Sequence, residues 1–283
     1  MAVRSDATVT IIRPPRGWLA LNLRDLWQYR ELVYFLTWRD IKVRYKQAVL
    51  GVGWAIIQPL LTMVVFTVIF NRFLGVQPDQ GIPQEYYPIF SFAALLPWQF
   101  FQGALQRASV SLVANSNLLT KVYFPRLIIP ASAVTAGLVD FGFSFLVLIG
   151  LMVYFGVSFT FKLLWLPVFL LVALLTALAV GLWLSALNVQ YRDVQHMVPF
   201  LLTIWMYISP VVYPIDVISV APVWQVIYAL NPMVGVIQGF RWALFGTNPP
   251  GMMFAVSMTM VLVLLISGLY YFRRMERTFA DLI

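Results

Sequence analysis

Long apolar runs separated by short polar segments dominate the pattern of this chain. The hydrocarbon core of a bilayer is about 30 Å thick, so a helix needs roughly 20 apolar residues to cross it. Six stretches approach that length, and we predict spans at about residues 50–72, 88–106, 127–155, 163–187, 197–213 and 252–272. The pattern therefore predicts an all-α polytopic membrane protein, with a cytoplasmic segment over residues 1–49 and a six-span transmembrane domain over residues 50–283.

The segment before the first predicted span has a different periodicity. Between Leu23 and Lys46, apolar residues recur at intervals that place them on one face of an α-helix. They are Leu23, Trp27, Tyr34, Trp38, Ile41 and Tyr45. The opposite face carries Arg39 and Lys42, and Arg30 falls inside the apolar face, which predicts a break near it. Such a helix is typical of one that lies along the membrane surface. We expect an amphipathic interface helix, which either anchors the chain or also contacts a cytoplasmic subunit.

The stretch from Tyr213 to Pro250 is too apolar for a free loop, yet prolines and charged residues divide it into pieces shorter than a span. Non-helical backbone at membrane depth persists only where protein or a water-filled cavity covers it. We therefore predict two short re-entrant or interfacial helices on the external side, before the last span. The alternative is one irregular seventh span, which would put the basic carboxyl-terminal tail on the opposite side.

Composition and charge support a membrane protein and give its orientation. Hydrophobic residues make up 61% of the chain and charged residues 11%, against about 45–50% and about 25% in soluble domains. Mean hydropathy is +0.84. In the six-span arrangement, 16 of the 19 Lys and Arg residues lie on the side of the termini, and Arg72, Lys162 and Arg241 lie opposite. Because basic residues are biased to the cytoplasmic side, both termini are predicted to be cytoplasmic.

The net charge of +8 does not indicate a nucleic-acid partner. Nine Lys and Arg residues against four acids stand in the first 50 residues, just before the first span, where they act as an orientation signal. No short apolar core with a small-residue cleavage site follows the start, so no removable signal peptide is expected.

Motifs for catalysis and nucleotide binding are missing from the sequence. It has no cysteine and one histidine, His196, so no metal site is expected. It has no GxxxxGK[ST] phosphate loop, so any ATP and Mg²⁺ would be bound by another polypeptide, and no cofactor is expected in this chain. Asp140 is the only acid deep within a predicted span, whereas ion-coupled transporters usually carry networks of buried ionisable groups. These features disfavour an enzyme and a secondary transporter.

Six short sequence segments occur in a defined order along the chain. They are RDIKVRYKQAVLGVGWAIIQPLLTMVVFTVIFNRF (39–73), FAALLPWQFFQGAL (92–105), NSNLLTKVYFPRLIIPAS (115–132), LNVQYRDVQHMVPFLL (187–202), SPVVYPID (209–216) and NPMVGVIQGFRWALFG (231–246). Together they resemble the membrane subunit of type-2 ABC exporters for polysaccharides, the family that moves O-antigen, capsule or teichoic-acid chains. The resemblance covers about residues 30–272. It implies a homodimer in the bacterial cytoplasmic membrane, each copy paired with a separate ABC ATPase subunit, that exports a lipid-linked polysaccharide.

The resemblance also assigns roles to cytoplasmic residues. In the predicted loop from Arg107 to Arg126, a short helix would be the coupling helix that docks into the ATPase. Its expected contacts are Asn117, Leu118, Lys121, Phe124 and Arg126, and the expected additional cations are Arg39, Lys42 and Arg44, which would complete that contact or bind the lipid diphosphate. The alternatives are an ordinary cytoplasmic loop and individual headgroup anchors.

Aromatic residues crowd the external half of the second predicted span and the fifth span with its extension. The default interpretation is an interfacial aromatic belt. A subset facing the dimer axis would offer flat apolar faces on which sugar rings stack. The candidates for this substrate channel are Tyr86, Tyr87, Phe90, Trp98, Phe101, Trp205, Tyr207, Tyr213 and Trp224. Asp140 is expected to face protein or water, either bonding a neighbouring helix or contacting substrate.

Other functions stay open on the sequence alone. An ABC exporter of drugs or simple lipids would share the same topology. An intramembrane lipid-modifying enzyme would need acids or histidines clustered at one membrane face, and a passive channel would conduct ions without an ATPase.

Overall fold

The computed structural model describes residues 27–46, 51–215 and 222–279. Within these ranges the regular elements are helical and no strand occurs, which confirms the all-α prediction for this part of the chain. The α-helices are α1 Arg30–Lys46, α2 Gly51–Phe66, α3 Tyr87–Ala114, α4 Ser116–Lys121, α5 Ile128–Thr135, α6 Gly137–Phe155, α7 Leu166–Gln190, α8 Val194–Ile208, α9 Pro222–Ala229, α10 Pro232–Phe245 and α11 Gly251–Met275. A π-helix, Thr67–Phe73, continues α2.

Four helical segments of the described chain are long and apolar enough to cross a membrane. They are Gly53–Phe73, Ile128–Phe155, Phe161–Gln190 and Gly251–Met275, at the positions of the first, third, fourth and sixth predicted spans. At the second position, α3 has 28 residues but is less apolar, because it contains the three glutamines Gln99, Gln102 and Gln106. At the fifth, α8 has 15 residues and ends at Ile208, before the predicted end at 213. The count of six spans stays a prediction.

α3 is the central helix of the bundle. It contacts α2, α5, α6, α7 and α10, and most of its side chains from Tyr87 to Leu112 are buried. Close approach depends on small residues: a Cβ on Gly181 of α7 would lie 2.8 Å from the Cβ of Ala108. Since lipid tails are as apolar as leucine, such close packing drives helix association in membranes. The apolar cluster around α3, which includes Phe92, is called the main core below.

α3 is longer than the sequence predicted. The second span was predicted to end at 106, with Arg107 in a cytoplasmic loop, but the helix continues for two further turns to Ala114. That prediction for Arg107 is wrong. The segment after it contains no proline or glycine, and Ala108 and Leu112 are buried, so packing extends the helix until Asn115.

A second apolar cluster joins α1 to the end of the bundle. It contains Leu36 of α1, Leu112 of α3, Phe124 and Phe272, with further residues of α5 and α7. The face of α1 that packs there is that of Leu32, Val33 and Leu36, whose spacing is helical. This group is referred to below as the second cluster.

The aromatic face predicted for the interface helix points away from the bundle at Tyr34 and Trp38, whereas Tyr45 at its carboxyl end packs on α6. Tyr34 and Trp38 are exposed, as is Trp27, which precedes a turn at Tyr29. The predicted start of this periodic segment at Leu23 lies outside the described residues. The sequence found the aromatic face but not the second, inward apolar face beside it.

Two short helices, α9 and α10, lie in the segment predicted to be re-entrant. They have eight and 14 residues, fewer than the roughly 20 needed for a span. Asn231 caps α10, since its side chain accepts a hydrogen bond from the backbone N–H of Met233. Gly246 ends the helix with a φ of 69°, a left-handed conformation that favours glycine. The external location of both helices stays a prediction.

Candidate functional site

The short helix α4 follows α3 after a sharp turn at Asn115. The side-chain amide of Asn115 donates to the carbonyl of Ser111 at 2.8 Å, which closes the end of α3. Leu118 and Leu119 pack on the second cluster, so α4 lies against the bundle by one face. Its other face, with Asn117 and Lys121, is exposed. Among the predicted coupling residues, these two are accessible to another protein, and Leu118 is half-buried.

The predicted contacts Phe124 and Arg126 face the bundle. Phe124 is buried in the second cluster. Arg126 donates from Nη1 to the backbone carbonyl of Glu276, and its guanidinium carbon lies 5.9 Å from the ring centroid of Phe279. The Glu276 carboxylate in turn accepts from Arg273 at 2.9 Å. Both predicted residues therefore pack the segment after α4 against the end of α11. Arg126 and Glu276 are 150 positions apart, so no local sequence pattern indicated their contact.

Two exposed apolar residues next to α4 were missed. Val122 is 53% exposed and Tyr123 is 72% exposed. Adjacent exposed apolar side chains in a segment predicted to be cytoplasmic are candidates for contact with another protein. The signal was present as a Val-Tyr pair directly after Lys121 in a segment otherwise predicted to be cytoplasmic. Asn117, Lys121, Val122 and Tyr123 are called the coupling surface below.

The interface helix α1 is tethered to this corner through Arg39. Its Nη2 donates to Oδ1 of Asn115 at 2.8 Å and to Oδ1 of Asp40 at 2.7 Å. Lys42 is exposed, with its Nζ 5.3 Å from the ring centroid of Trp38. Of these two predicted cations, Arg39 is engaged inside the chain and Lys42 faces outward.

Arg44, the third predicted cation of α1, turns inward and pairs with Asp140 of α6. Its Nη1 donates to Oδ2 of Asp140, and the hydroxyl of Tyr45 donates to Oδ1. Nη1 of Arg107 in α3 lies 3.5 Å from the same Oδ2. Asp140 therefore bonds neighbouring helices, one of the two roles that the sequence left open. Arg107 was missed as a partner because it was assigned to a loop.

The surroundings of Tyr45 keep its hydroxyl protonated. Burial, and then the hydrogen bond to Asp140 and the charge of that carboxylate, raise the pKa of Tyr45 from 10.0 to about 12. At neutral pH the phenol is therefore a hydrogen-bond donor to the carboxylate. Together, Arg44, Tyr45, Arg107 and Asp140 form what we call the Asp140 centre.

The aromatic candidates for the substrate channel divide sharply by exposure. Tyr87, Phe90, Trp98 and Phe101 are fully buried by the chain's own side chains. The sequence could not separate these rings from exposed ones, because an aromatic residue suits both a core and a membrane interface.

Other aromatic candidates remain accessible. Tyr207 is 54% exposed and Trp224 is 60% exposed, while Tyr86, Trp205 and Tyr213 are half-buried. The indole N–H of Trp205 donates to Oδ1 of Asn231 at 2.9 Å, which fixes the orientation of that ring. A stacking role stays a prediction for each ring.

A recess of about 530 Å³ opens beside Tyr213. Phe70 also lines it, and Gln77 and Gln80 contribute amide groups. Flat apolar rings with nearby amides suit contact with a sugar ring, which has apolar faces and hydroxyl edges.

Arg241 was counted among the external cations and taken as a break between short helices, but it lies inside α10 and is fully buried. The predicted break is wrong, because α10 packs on α3 and encloses the side chain. Nη1 of Arg241 donates to the carbonyl of Tyr213 at 3.2 Å, and Nη2 donates to the carbonyl of Val211 at 3.1 Å. Its guanidinium carbon lies 3.7 Å from the ring centroid of Phe90, a cation–π contact. The buried cation thus connects α10 to α3 and to the turn after α8 that contains Val211 and Tyr213.

Within the described ranges, no group of three or more His, Cys, Asp or Glu residues is arranged to hold a metal ion. The site geometry consists instead of an exposed coupling surface, a tethered interface helix and accessible aromatic rings. This arrangement offers accessible surfaces for contact with another protein.

Comparison with known proteins agrees with the resemblance noted in the sequence. The chain is 33% identical over 257 residues to the O-antigen export system permease protein RfbA of Myxococcus xanthus, covering 90% of this chain and 96% of that protein. Two proteins of the same name from Klebsiella pneumoniae are 28% and 26% identical over 254 residues, each covering 89% of this chain and 95% of the relative. Residues 31–245 match the family model of the ABC-2 type transporter. Because that match runs from the interface helix to the end of α10, the protein belongs to the ABC-2 type transporter family, as a membrane permease.

Proposed function

We propose that this chain is the permease subunit of an ATP-driven ABC exporter that moves a lipid-linked, O-antigen-like polysaccharide across the bacterial cytoplasmic membrane. The observation that carries the proposal is similarity over nearly the whole chain to three proteins named as O-antigen export permeases. The coupling surface and the accessible aromatic rings fit that function.

The ATPase is a separate subunit that docks on the coupling surface. The chain has no phosphate loop of its own, so ATP hydrolysis must occur on a partner. The coupling surface offers a cation at Lys121 and an aromatic anchor at Tyr123, and Lys42 of α1 extends its positive charge. ATP-bound and ATP-free partners must contact this surface differently, since a ligand shifts a conformational equilibrium only through a difference in binding.

The transmembrane domain has six spans with both termini in the cytoplasm. α3 completes the second span despite its glutamines, because other helices cover most of it and little of its surface must face lipid. α8 rises about 22 Å, and the five residues after it extend the fifth span toward the external side. Tyr34 and Trp38 of the interface helix, and Trp27 just before it, lie at the level of the headgroups, where aromatic residues are favoured.

The functional unit is a homodimer with the substrate path along its two-fold axis. The helices of one chain enclose a packed core around α3, so a passage for a sugar polymer is more readily formed between two copies. In the most apolar part of the helix Gly53–Phe73, only 17% of the residues are buried within the chain. The rest of this helix is therefore available for contact with lipid or with the second copy.

Exposed aromatic rings guide the polysaccharide. Tyr207 and Trp224 present faces on which sugar rings stack without fixed hydrogen bonds, so the polymer can slide. The buried rings Tyr87, Phe90, Trp98 and Phe101 instead give the surrounding wall its rigidity.

Reconstitution with its cognate ABC ATPase tests this function. We expect the purified complex in proteoliposomes to hydrolyse ATP faster when the lipid-linked glycan is present, and to move that glycan across the bilayer. A complex whose ATPase lacks its phosphate-loop lysine should bind glycan but not transport it. Transport without any ATPase, or equal stimulation by the carrier lipid without its glycan, would contradict the proposal.

A further inference from the structure

A single carboxylate connects the interface helix to two helices of the bundle. Asp140 of α6 accepts from Arg44 and Tyr45 of α1 and lies 3.5 Å from Nη1 of Arg107 on α3. The side chains of Arg44, Arg107 and Asp140 are each about 30% exposed, so protein covers most of the surface of all three groups. Two cations therefore share this one carboxylate.

The backbone is shaped to admit the guanidinium of Arg107. A Cβ on Gly137 would lie 2.2 Å from its Nη2, and a Cβ on Gly103 would lie 3.1 Å from its Nη1. The Nε of Arg107 is directed to the carbonyl of Ala133, at 3.4 Å. Two glycines therefore leave the space through which Arg107 reaches Asp140.

The carboxyl-terminal end of α1, beyond the contact of Arg39 with Asn115, is held by this centre. Its amino-terminal half is held by the buried side chain of Leu36, whereas Lys42, Val43 and Lys46 are exposed. Tyr45 adds an edge-to-face ring contact with Phe143 of α6, at 6.1 Å between centroids. The contacts of Arg44 and Tyr45 thus fix the end of α1 that leads into α2.

We propose that Asp140 is a positioning residue of the transport cycle, which makes α1 and α6 move as one unit so that a displacement of the interface helix reaches the membrane-spanning helices. The inference rests on the proposed function, in which the ATPase acts on the coupling surface and α1. Removing one partner of such an ion pair leaves an uncompensated charge, so the paired arrangement resists separation of the two helices.

Two substitutions disturb the centre in different ways. Asp140→Asn removes the charge but keeps the size of the side chain and an oxygen for Tyr45. Gly137→Ala changes no charge but occupies the space of the Arg107 guanidinium. The matched control is Gly142→Ala on the same helix, since a Cβ there meets no atom within 4 Å.

The distance between α1 and α6 is the direct readout. The chain has no cysteine, so one cysteine can be introduced at Val43 of α1 and one at Leu146 of α6, both of which are exposed, and the two can be spin-labelled. In the complex with its ATPase, we expect one narrow distance distribution that does not change when ATP is added. In the Asp140→Asn and Gly137→Ala variants the distribution should broaden or shift with ATP, and in Gly142→Ala it should match the parent.

The second readout is glycan exported per ATP hydrolysed. We expect it to fall about tenfold in Asp140→Asn, in the range typical of a lost coupling between sites, and to stay unchanged in Gly142→Ala. Arg44→Gln removes the cation of α1 but leaves Asp140 paired with Arg107, so it should broaden the distribution in the same way and serves as the test if Asp140→Asn yields too little folded protein.

Unchanged distances and export ratios in Asp140→Asn, or in Arg44→Gln where only that variant folds, would overturn the inference. Failure of the proposed function is distinguishable, because the parent complex would then export no glycan while the distance measurement would still report whether α1 and α6 move together.

Discussion

Nη2 of Arg39 lies 2.8 Å from Oδ1 of Asn115, 76 positions further along the chain. The bond joins the interface helix to the residue at which α3 ends and α4 begins. The coupling surface and α1 are therefore held in a fixed relation within one chain, before any partner binds.

We expect Arg39→Gln and Asn115→Ala to be non-additive. Because a hydrogen bond from a charged donor is lost in either variant, a double-mutant cycle should give a coupling of about 1 kcal/mol in the free energy of unfolding. Because Arg39 is partly exposed, we expect this coupling free energy to lie at the low end of the range for hydrogen bonds from charged donors. Denaturant unfolding in detergent measures it, with Lys42→Gln on the same helix as the control. Strictly additive effects would show that the bond contributes nothing.

The coupling surface should affect binding of the ATPase rather than folding. Lys121→Glu or Tyr123→Ala should weaken binding about tenfold, because both side chains are accessible contacts, and should leave the melting temperature nearly unchanged. Phe124→Ala should do the reverse and cost about 3–5 kcal/mol of stability, since it empties a site in the second cluster. Affinity measured on immobilised ATPase, together with thermal unfolding, separates the two effects. Equal affinity for the parent and both surface variants would argue against this docking site.

Arg241 should be essential for stability. Arg241→Met would leave the carbonyls of Tyr213 and Val211 without their donors and cost about 3 kcal/mol. Arg241→Lys should also destabilise, because an ammonium group cannot reproduce the planar fork that serves both carbonyls above a ring. Arg72→Gln, at an exposed position, is the control. Thermal unfolding in detergent checks this, and similar melting of the Arg72 and Arg241 variants would contradict it.

Gly268 should tolerate no side chain. A Cβ there would lie 2.6 Å from the backbone carbonyl oxygen of Ala179, which cannot rotate away, so α7 and α11 would have to separate. That movement would also disturb the stacked rings of Trp183 and Tyr271, whose centroids are 4.4 Å apart. We expect Gly268→Ala to cost about 1–3 kcal/mol in the free energy of unfolding.

Gly150→Ala is the matched control, because a Cβ there meets no atom within 4 Å. In a helix interior this substitution should be neutral or stabilising by about 0.5–1 kcal/mol. Denaturant unfolding compares the two variants. Equal free energies of unfolding for Gly268→Ala and Gly150→Ala would show that α7 and α11 have room for a side chain at position 268.

Exposed and buried aromatic rings should differ in what they contribute. Trp224→Ala and Tyr207→Ala should lower the rate of glycan export while leaving stability within about 0.5 kcal/mol, because stacking surface is lost without a cavity. Trp98→Ala should instead cost about 3–5 kcal/mol, since its ring is buried in the main core. Export in proteoliposomes and thermal unfolding measure both. Unchanged export by the Trp224 and Tyr207 variants would remove these two rings from the substrate path.

The positions of the helices were accessible from the sequence because they depend on local patterns. The last span was predicted at 252–272 and the helix runs from Gly251 to Met275. The two short helices after α8 were predicted from prolines and charges that interrupt an apolar stretch. Helix ends were less predictable where packing overrides local signals, as at Arg107, which the sequence placed in a loop and the structure places inside α3.

The sequence by itself determined an all-helical membrane chain, its helix order and its family, because long apolar runs, charge bias and ordered strings are properties of neighbouring residues. Only the tertiary structure decided which side chains meet, such as Arg44 with Asp140, and which aromatic rings are enclosed. The physical reason is that a membrane helix presents apolar side chains both to lipid and to other helices. Hydrophobicity therefore does not distinguish a buried ring such as Trp98 from an exposed one such as Trp224, and that distinction follows from packing between segments far apart in the chain.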